Sequence, residues 1–380
     1  MAPTAPHPGP LSGLRVLDIS TVVAGPYAAT LLGDLGADVL KAEMPGGRDG
    51  LRGLAPHKDG VPLWWKVTNR NKRGITLDLR KPAGKELFGR LLARTDVLVE
   101  NFRPGTIERL GLGPDELHAL NPRLVITRVT GFGQTGPYRN RAGFATIAAS
   151  MSGLAAISGE PDGQPLLPPI ALTDELTGIV SAFATMVALH HARSTGEGQV
   201  VDVSLLESMF GIMSPLASLY ALTGELQQRM GAGLPYTVPR GTYQCSDGKW
   251  VGVSTSADSV AARVLGLLGL ADDPRFTTFA QRMANRPALE AAMREWCSAR
   301  TQAEVIAEFT AADAAIGPVL DMADIANDPH FAEREAIVDV GGTPMQNVIA
   351  KLSRTPGRLK WHGRSLDADG PEIREKGWNP

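Results

Sequence analysis

The sequence contains only two cysteines, Cys245 and Cys297, among its 380 residues. Two cysteines are too few for a disulfide scaffold or for a metal site built from several thiolates. Neither cysteine has a histidine close by in the sequence, so we expect both to be small buried residues rather than nucleophiles. Such sparing use of cysteine is typical of a reducing compartment, and we predict a cytoplasmic protein.

The sequence also lacks an excess of charge of either sign. Its 38 basic and 40 acidic residues give a formal net charge of −2, which provides no overall attraction to nucleic acid or to anionic membranes. The first ten residues, MAPTAPHPGP, have neither a basic region nor an apolar core, and no run of about 18 apolar residues follows. We therefore expect no signal peptide, no membrane span and no nucleic-acid partner.

Common cofactor and nucleophile motifs are missing as well. The segment STVVAGP (20–26) has one glycine where the dinucleotide fingerprint has three, and Pro26 has no amide hydrogen to donate. The sequence contains neither a Gly-x-Ser-x-Gly elbow nor a Walker loop. His190 and His191 have no acidic or cysteine residue at ligand spacing. We therefore expect no metal and no tightly bound cofactor.

What the sequence does contain is an alternation of short β-branched runs with helical segments. The runs lie at 14–20, 38–43, 74–79, 96–102 and 124–133. This alternation predicts an α/β fold with a mainly parallel, doubly wound sheet. Such sheets bind ligands in loops beyond the carboxyl ends of the strands. The site should therefore involve loops 21–26, 80–81, 101–105 and 131–141.

The length of the chain indicates more than one domain. A segment rich in glycine and proline, 229–255, is followed by three amphipathic helical patterns at 258–268, 287–299 and 302–312. These features predict a smaller α+β domain. We divide the chain into a large domain at 1–225, a small domain at 226–329 and a return to the large domain at 330–380.

Basic residues cluster in NRNKRG (69–74), LRK (79–81), NFRPGTIER (101–109) and YRNR (138–141). Runs of this kind are most often solvated surface. Their position after predicted strands nevertheless favours a shared anion site, because arginine and lysine bind phosphate well.

Asp174 stands beside Glu175 where an apolar helix is predicted to begin, with its body at 175–191. Thr173 or Asp174 would be an ordinary N-cap residue. Helix-end amides also stabilise an anionic carboxylate, which can attack an activated carbonyl, so this pattern permits a nucleophile without requiring one. The helix is expected to pack against the core through a stripe of Leu176, Ile179, Val180, Phe183, Val187 and His190.

Six segments, in this order, resemble the family III CoA-transferases, the group that includes formyl-CoA transferase and carnitine CoA-transferases and shares its fold with α-methylacyl-CoA racemase. They are LSGLRVLDISTVVAGPYAATLLGDLGADVLKAE, NRNKRGITLDLRKPAGKELF, DVLVENFRPGTIERLGL, LNPRLVITRVTGFGQTGPYRNRAGF, TDELTG and TGEGQVVDVSLLESM. The similarity runs from about residue 11 to about residue 360. It implies a Rossmann-like large domain formed by both chain ends, a smaller domain, and a homodimer of two interlocked subunits.

The resemblance also implies a site and a reaction. In the segment TDELTG it makes Asp174 the catalytic nucleophile, which would pass CoA from an acyl-CoA to a carboxylic acid through aspartyl anhydride and aspartyl-CoA thioester intermediates. Such an exchange needs no ATP, metal or redox cofactor, and coenzyme A enters only as part of the substrate. Trp64 is a candidate contact for the acyl group, with the hydrophobic core as its alternative place. The implied CoA contacts are Val22, Val23, Ala24, Leu77, Arg80, Asn101, Phe102 and Arg109.

The chain departs from the family pattern at a few positions. Val23 replaces a glutamine of formyl-CoA transferase and Met44 replaces an arginine, which disfavours formyl and oxalyl substrates. Phe144 stands where the racemases carry a histidine, and phenylalanine cannot carry a proton. Ala145 stands where racemases and many transferases carry an acid. The alternatives to a transferase are therefore a racemase-like enzyme and a CoA-binding protein without turnover.

Overall fold

A computed structural model describes residues 9–378 and divides the chain into two compact units. The first unit contains the chain up to Gly153, Pro168–Ser214 and the chain from Pro329 onward. The second contains Leu154–Leu167 and Pro215–Asp328. Both ends of the described part of the chain thus fall in the first unit. The longer segment of the second unit runs from Pro215 to Asp328, beside the expected small domain at 226–329, and Leu154–Leu167 belongs to the same unit.

Strands and helices follow one another along both units. The strands are β1 (Arg15–Asp18), β2 (Asp38–Glu43), β3 (His57–Lys58), β4 (Val61–Pro62), β5 (Lys72–Thr76), β6 (Val97–Glu100), β7 (Val125–Thr130), β8 (Val200–Ser204), β9 (Arg240–Gln244), β10 (Trp250–Ser254), β11 (Ile316–Pro318), β12 (Ile337–Asp339) and β13 (Pro344–Gln346). The helices are α1 (Ala24–Asp34), α2 (Leu63–Thr68), α3 (Pro82–Leu92), α4 (Thr106–Arg109), α5 (Pro114–Leu120), α6 (Ala145–Met151), α7 (Leu154–Ile157), α8 (Leu172–Thr195), α9 (Leu205–Gly211), α10 (Leu216–Thr223), α11 (Asp258–Leu267), α12 (Phe279–Ala284), α13 (Arg286–Ser298), α14 (Gln302–Ala311), α15 (Met322–Asn327), α16 (Pro329–Glu333) and α17 (Gly370–Lys376).

The first unit is built on a six-stranded sheet with the strand order β5-β2-β1-β6-β7-β8. Every neighbouring pair is parallel, and Val16 of β1 lies opposite Val39 on one side and Val97 on the other. Numbered in chain order, these strands run 3-2-1-4-5-6, which is the Rossmann order. The predicted doubly wound α/β fold is therefore confirmed. The order reverses between β1 and β6, so a ligand crevice belongs beyond their carboxyl ends.

Apolar side chains cover both faces of this sheet. On one face Phe88 and Leu91 of α3 pack with Leu117 of α5 and with Trp378, and all four are buried. On the other face α1 and α8 pack on the sheet through small and branched residues such as Leu32. Strands that are covered on both sides read as continuous apolar runs, which is why the sequence pattern was informative in this unit.

The carboxyl-terminal segment of the chain covers the outer edge of β5. The amide of Asn71 donates to the carbonyl of Trp361 at 2.9 Å, and the Trp361 indole donates to the carbonyl of Lys72 at 3.0 Å. Gly74 donates its amide to a carboxylate oxygen of Asp369 at 2.8 Å. This edge strand is therefore paired and covered rather than left open.

Helix α8 packs differently from the expectation. Its buried face consists of small residues, among them Thr177, Gly178 and Ser181, whereas the expected apolar stripe is largely exposed. Ile179, Phe183 and Val187 are 48%, 70% and 56% exposed. The prediction that this stripe packs on the core was wrong, because close packing against α1 selects small side chains rather than large apolar ones.

Within residues 9–378, one helix, α8, is long and apolar enough to cross a membrane. Helices α9 and α10 would qualify only if the bent pair were counted as one span. Buried core helices pass the same test. Helix α8 lies against α1, β7 and β8 in the first unit. Most of the segment on which we based the absence of a signal peptide lies outside the described residues.

The second unit contains a three-stranded antiparallel sheet in the order β11-β10-β9. Helices α11, α13 and α14 lie close to the three predicted amphipathic patterns, and their buried residues include Met293 and Phe309. Cys245 and Cys297 are free and buried in the same cluster, as expected. Thr301 and Glu304 form a reciprocal capping box that fixes the start of α14.

Candidate active site

The loop after β1 has an unusual backbone conformation. Val22 has a φ of 64°, a left-handed value that a β-branched residue rarely adopts. Neighbouring side chains hold the loop: the Asn101 side chain accepts the Thr21 amide at 2.8 Å and donates to the Thr21 carbonyl at 2.6 Å. Asn101 follows β6, so this clamp joins the two loops at the point where the strand order reverses.

Beneath this loop lies a buried ionic network. Asp18, at the end of β1, accepts a hydrogen bond from the Lys72 ammonium at 2.8 Å and lies 3.6 Å from the Lys41 ammonium. Lys72 also donates to the carbonyl of Pro26 at 2.7 Å, and Lys41 donates to the carbonyl of Ser20. Burial lowers the pKa of Lys72 to about 8, against the opposing effect of Asp18. The network ties both ends of the loop to β2 and β5.

The predicted CoA contacts Leu77 and Phe102 line one small cavity. It has a volume of about 130 Å³ and includes Thr21, Met44 and Asp49 in its wall. This cavity opens at the crevice that the strand order defines, so the structure brings these two predicted residues together.

The other predicted contacts have different surroundings. Val23 is buried against Leu51 and Trp65, so only its backbone could meet a ligand, and Ala24 is the first residue of α1. Arg80 is exposed and pairs with Asp78 at 2.9 Å.

The loop after β6 is fixed by a second buried ion pair. Glu100 accepts a hydrogen bond from the Arg128 guanidinium at 2.6 Å and one from the amide of Phe102 at 2.7 Å. Burial raises the pKa of Glu100, against the opposing effect of Arg128. Arg128 also contacts Glu108 of α4 at 2.9 Å. Arg109, next in α4, is exposed and donates to the Thr106 hydroxyl at 3.0 Å.

The basic block at 69–74 does not form a free anion site. Arg70 is paired with Asp34 at 2.6 Å, and Arg73 is paired with Asp38 at the same distance. The third cation of the block, Lys72, belongs to the network under the first loop. The expectation of a shared anion site was therefore wrong for this block, because each of its charges is neutralised by an acid of the same unit.

Asp174 lies in the first turn of α8, but it does not cap the helix. The helix begins at Leu172 after Ala171, which has no capping side chain, so neither Thr173 nor Asp174 is the N-cap residue. In the described part of the chain the Asp174 carboxylate has no ion-pair partner, and its acidic neighbour is Glu175. Burial, and then the negative charge of Glu175, raise the pKa of Asp174 to about 6. The carboxylate is therefore more basic than an ordinary aspartate.

Gly178, one turn after Asp174, brings α8 against the beginning of α1. A β-carbon at Gly178 would lie 2.8 Å from a ring carbon of Tyr27 and 3.1 Å from the carbonyl oxygen of Ala24. Helix α8 therefore packs closely on the first turn of α1, at a position one helical turn after Asp174. Helix α1 has no side-chain cap, and the first amides of a helix have no acceptor within the helix.

A larger cavity of about 740 Å³ is lined by residues of α1, α2 and α8, and Asp174 is not among them. Trp64, the candidate acyl contact, lines it together with Tyr27 and Val67, and Glu175 faces it from α8. Trp64 is half-buried and also packs on the cluster of Val23, Leu51 and Trp65. The structure thus gives Trp64 both a cavity face and a core face.

Phe144 and Ala145 mark the beginning of α6. Phe144 is the N-cap residue and its side chain is 66% exposed, so no acid or base replaces the racemase histidine at this position. Within residues 9–378 no group of three or more histidine, cysteine, aspartate and glutamate side chains is arranged to hold a metal ion.

Sequence reasoning missed Asp18, Lys41 and Asp49, which hold the first loop. Asp18 and Lys41 lie within predicted strands, where charged residues are seldom buried without partners. Opposite charges at such positions on neighbouring strands are the signal that could have indicated a buried pair.

Comparison with known proteins identifies the class. The family model for CoA-transferase family III matches residues 11–369, and the chain belongs to this family. The protein is therefore an enzyme of the CoA-transferase class, with a CoA thioester as substrate.

Two curated relatives come from Chloroflexus aurantiacus. The chain is 40% identical over 375 residues to succinyl-CoA–D-citramalate CoA-transferase, in a match that covers 96% of this chain and 93% of the relative. It is 42% identical over 376 residues to the beta subunit of succinyl-CoA–L-malate CoA-transferase, with the same coverage of both chains. A solved CAIB/BAIF family protein from Brucella suis matches with a TM-score of 0.87 and 35% identity, over 97% of this chain and 99% of that one.

Proposed function

We propose that the protein transfers CoA between two organic acids with Asp174 as the nucleophile. One observation carries this proposal: Asp174 is a partly buried carboxylate with a pKa raised to about 6, and in the described chain it has no cation to neutralise it. A carboxylate of this kind is ionised at neutral pH and keeps its nucleophilicity. The racemase alternative gains no support at Phe144, and the binding-only alternative leaves the basic Asp174 unexplained.

The proposed reaction has four balanced steps. The Asp174 carboxylate attacks the acyl carbon of the donor thioester and forms a mixed anhydride. The C–S bond breaks in this step, and CoA leaves as a thiolate. The thiolate then attacks the aspartyl carbonyl, which releases the donor acid and forms an aspartyl-CoA thioester. The acceptor carboxylate displaces CoA from this thioester to give a second anhydride, and the thiolate attacks the acceptor acyl carbon to regenerate Asp174. The acyl groups stay activated throughout, so no ATP is consumed.

The amino terminus of α1 is suited to support these steps. Each attack turns a carbonyl oxygen into an oxyanion, and unpaired helix-end amides stabilise negative charge. Gly178, in the second turn of α8, packs against the carbonyl oxygen of Ala24, which brings α8 to the first residue of α1. Val22, Val23 and Ala24 would thus contact the thioester end of acyl-CoA through their backbone. Leu77, Arg80, Asn101, Phe102 and Arg109 would surround the nucleotide end.

For substrates we propose a succinyl-CoA-like donor and a hydroxy dicarboxylic acid as acceptor. The support is that both Chloroflexus relatives, at 40% and 42% identity, are named for succinyl-CoA together with citramalate or malate. Trp64 lies on a cavity of about 740 Å³, which has room for an acid larger than formate.

We also propose that the enzyme works as a cytoplasmic homodimer of interlocked subunits. The exposed stripe of Ile179, Phe183 and Val187 supports the dimer, because a long apolar helix face is usually covered in the functional assembly. The free, buried cysteines are compatible with a reducing compartment. Light scattering should give about twice the chain mass of 40.3 kDa. A mass equal to one chain at micromolar concentration would contradict the dimer.

The decisive experiment is peptide mass spectrometry after incubation with a panel of acyl-CoA thioesters, with and without hydroxylamine. We expect a hydroxylamine-sensitive adduct on the peptide that carries Asp174, strongest with succinyl-CoA. Asp174→Asn should lose the adduct and all transfer, because the amide is not a nucleophile, while it still binds CoA. Glu175→Gln is the matched control, since it alters the neighbouring carboxylate and should keep the adduct. An adduct on another residue, or wild-type turnover by Asp174→Asn, would disprove the mechanism.

A further inference from the structure

The loop between β1 and α1 is held in a strained conformation by groups from outside it. Valine at a φ of 64° costs about 1–3 kcal/mol relative to a relaxed backbone. Glycine would adopt the same φ without steric cost. Strain of this size persists only where the surroundings fix the conformation. The groups that fix Val22 are therefore part of how the loop works.

Three side chains from other elements bind consecutive residues of the loop. Lys41 of β2 donates to the carbonyl of Ser20, and Asn101 pairs with both backbone groups of Thr21. The third is Asp49, in the loop that follows β2, which accepts the amide of Val22 at 3.1 Å. Among these contacts, the one from Asp49 is made to the strained residue itself.

Asp49 does more than its local turn requires. As the N-cap of the short 3-10 turn Gly50–Arg52, its Oδ1 accepts the amide of Leu51 at 3.0 Å, which already satisfies the cap. The same oxygen also accepts the Val22 amide. Its Oδ2 is buried without a hydrogen-bond partner and lies 3.4 Å from the Lys41 ammonium. Asp49 is only 5% exposed, and a buried carboxylate needs a nearby positive charge. Lys41 supplies that charge and so holds the carboxylate in place.

We propose that Asp49 is a positioning residue for CoA exchange, which acts by holding Val22 in the left-handed conformation that acyl-CoA requires. This inference rests on the proposed function, in which the backbone of Val22, Val23 and Ala24 meets the substrate. Without the hydrogen bond from Val22 to Asp49, the valine relaxes to negative φ and the binding-competent loop becomes a minor state. The apparent affinity for CoA then falls by the fraction of chains that remain competent.

The test is a double-mutant cycle between Asp49→Ala and Val22→Gly, with the dissociation constant of free CoA measured by calorimetry. In the valine background we expect Asp49→Ala to weaken CoA binding by about 5-fold or more, since the backbone strain at Val22 is then unopposed. In the glycine background the same change should weaken binding by no more than about 3-fold, because glycine keeps the left-handed φ unaided. Equal losses in both backgrounds would overturn the proposal.

Asp369→Ala is the matched control. Asp369 is another buried carboxylate that accepts a backbone amide, that of Gly74 at 2.8 Å, but it acts at the far edge of the sheet. Asp369→Ala should lower the melting temperature. Its effect on CoA binding should be the same in the native Val22 background and in the Val22→Gly background. A coupling with Val22→Gly as large as that of Asp49 would show a general loss of stability and would refute a specific role.

Two further variants separate the hydrogen bond from the turn. Asp49→Ser caps Leu51 but is too short to hold Val22, so it should lose CoA affinity, and it replaces Asp49→Ala in the cycle if the alanine variant does not fold. Asp49→Asn keeps an acceptor oxygen for Val22 but turns an amide nitrogen toward Lys41, so it should lose less CoA affinity than Asp49→Ser. Equal weakening in the serine and asparagine variants would contradict the proposal.

Steady-state kinetics give a second measurement. Asp49→Ala should raise KM for acyl-CoA and largely keep kcat at saturation, because saturating substrate restores the competent loop. CoA binding is measured without turnover, so a failure of this cycle is distinguishable from a failure of Asp174 as nucleophile.

Discussion

Two carboxylates of the first unit, Asp18 and Asp174, contrast in almost every physical respect. Asp18 is fully buried and accepts hydrogen bonds from Ser20 and Lys72, with Lys41 close by. Burial alone would raise its pKa, but the two ammonium groups outweigh burial and hold the pKa below its ordinary value. Among the described residues Asp174 has an acidic neighbour and no cation paired with it, and its pKa is raised to about 6. A fully partnered acid serves the fold, whereas an unpartnered acid remains free for chemistry.

The largest expected effect comes from removing the partnered acid. Asp18→Ala leaves the ammonium groups of Lys41 and Lys72 buried without their shared counter-ion, which should cost about 3–5 kcal/mol of unfolding free energy. Urea unfolding followed by circular dichroism measures this loss. Asp174→Ala serves as the comparison and should lose far less. If both variants lost the same amount, the contrast between the two acids would collapse.

The second prediction concerns the packing of α8 on α1, which positions Asp174. Gly178→Ala places a methyl group 2.8 Å from the Tyr27 ring, so α8 must move away from α1, at a cost of about 1–3 kcal/mol. Turnover should fall as well, since Asp174 moves with the helix. Gly89→Ala in α3 is the matched control: nothing lies within 4 Å of the added β-carbon, and the change should stabilise the protein by up to about 1 kcal/mol. If Gly178→Ala changed neither stability nor turnover, the contact between α8 and α1 would not be as close as the distances indicate.

The third prediction is that ionised Asp174 weakens the fold. Its pKa of about 6 in the native protein lies above the ordinary 3.8, so the protonated form is favoured by folding. That stabilisation is complete below pH 3.8 and is lost as the pH rises through 6. Asp174→Asn should therefore raise the free energy of unfolding by about 1 kcal/mol at pH 7.5, because solvent screens part of the effect at this partly exposed group. The same variant should change the free energy of unfolding little at pH 4. Thermal unfolding at both pH values tests this, and an equal gain at both would contradict it.

The smallest effect is expected at Glu175, the acid next to Asp174. Its negative charge contributes to the raised pKa of Asp174, after burial. Glu175→Gln should move the acidic limb of kcat/KM, centred near pH 6, downward by roughly half a pH unit. The pH profile of CoA transfer measures this shift. A limb that does not move would mean that burial alone sets the basicity of Asp174.

The fold could be predicted well from the sequence, because strands buried on both faces leave continuous β-branched runs. The pattern from 14 to 133 indicated the parallel sheet. Helix α8 was harder, since hydrophobic periodicity indicates an apolar face but does not say what that face packs against. Thr177, Gly178 and Ser181 carry little hydrophobic signal, although they form the closest contact with α1.

The candidate site could be predicted only in part. The role of Asp174 as nucleophile was predicted only through family resemblance, because its local pattern favoured a helix cap. The basic block at 69–74 was misinterpreted, since the partners of Arg70 and Arg73 lie 36 and 35 residues away and meet them only in the folded sheet. Asp49 escaped notice for the same reason: its contact with Val22 spans 27 residues.

The carboxyl-terminal segment that covers β5 has a consequence for biosynthesis. The ribosome completes β5 at residue 76, but Trp361 and Asp369, which pair with this strand, emerge almost 300 residues later. During this interval the whole second unit is made while the edge of the first sheet stays open to other chains. Nascent chains are therefore most exposed to aggregation before residues 361–369 appear, and premature termination there would release a protein that contains Asp174 but has an uncovered sheet edge.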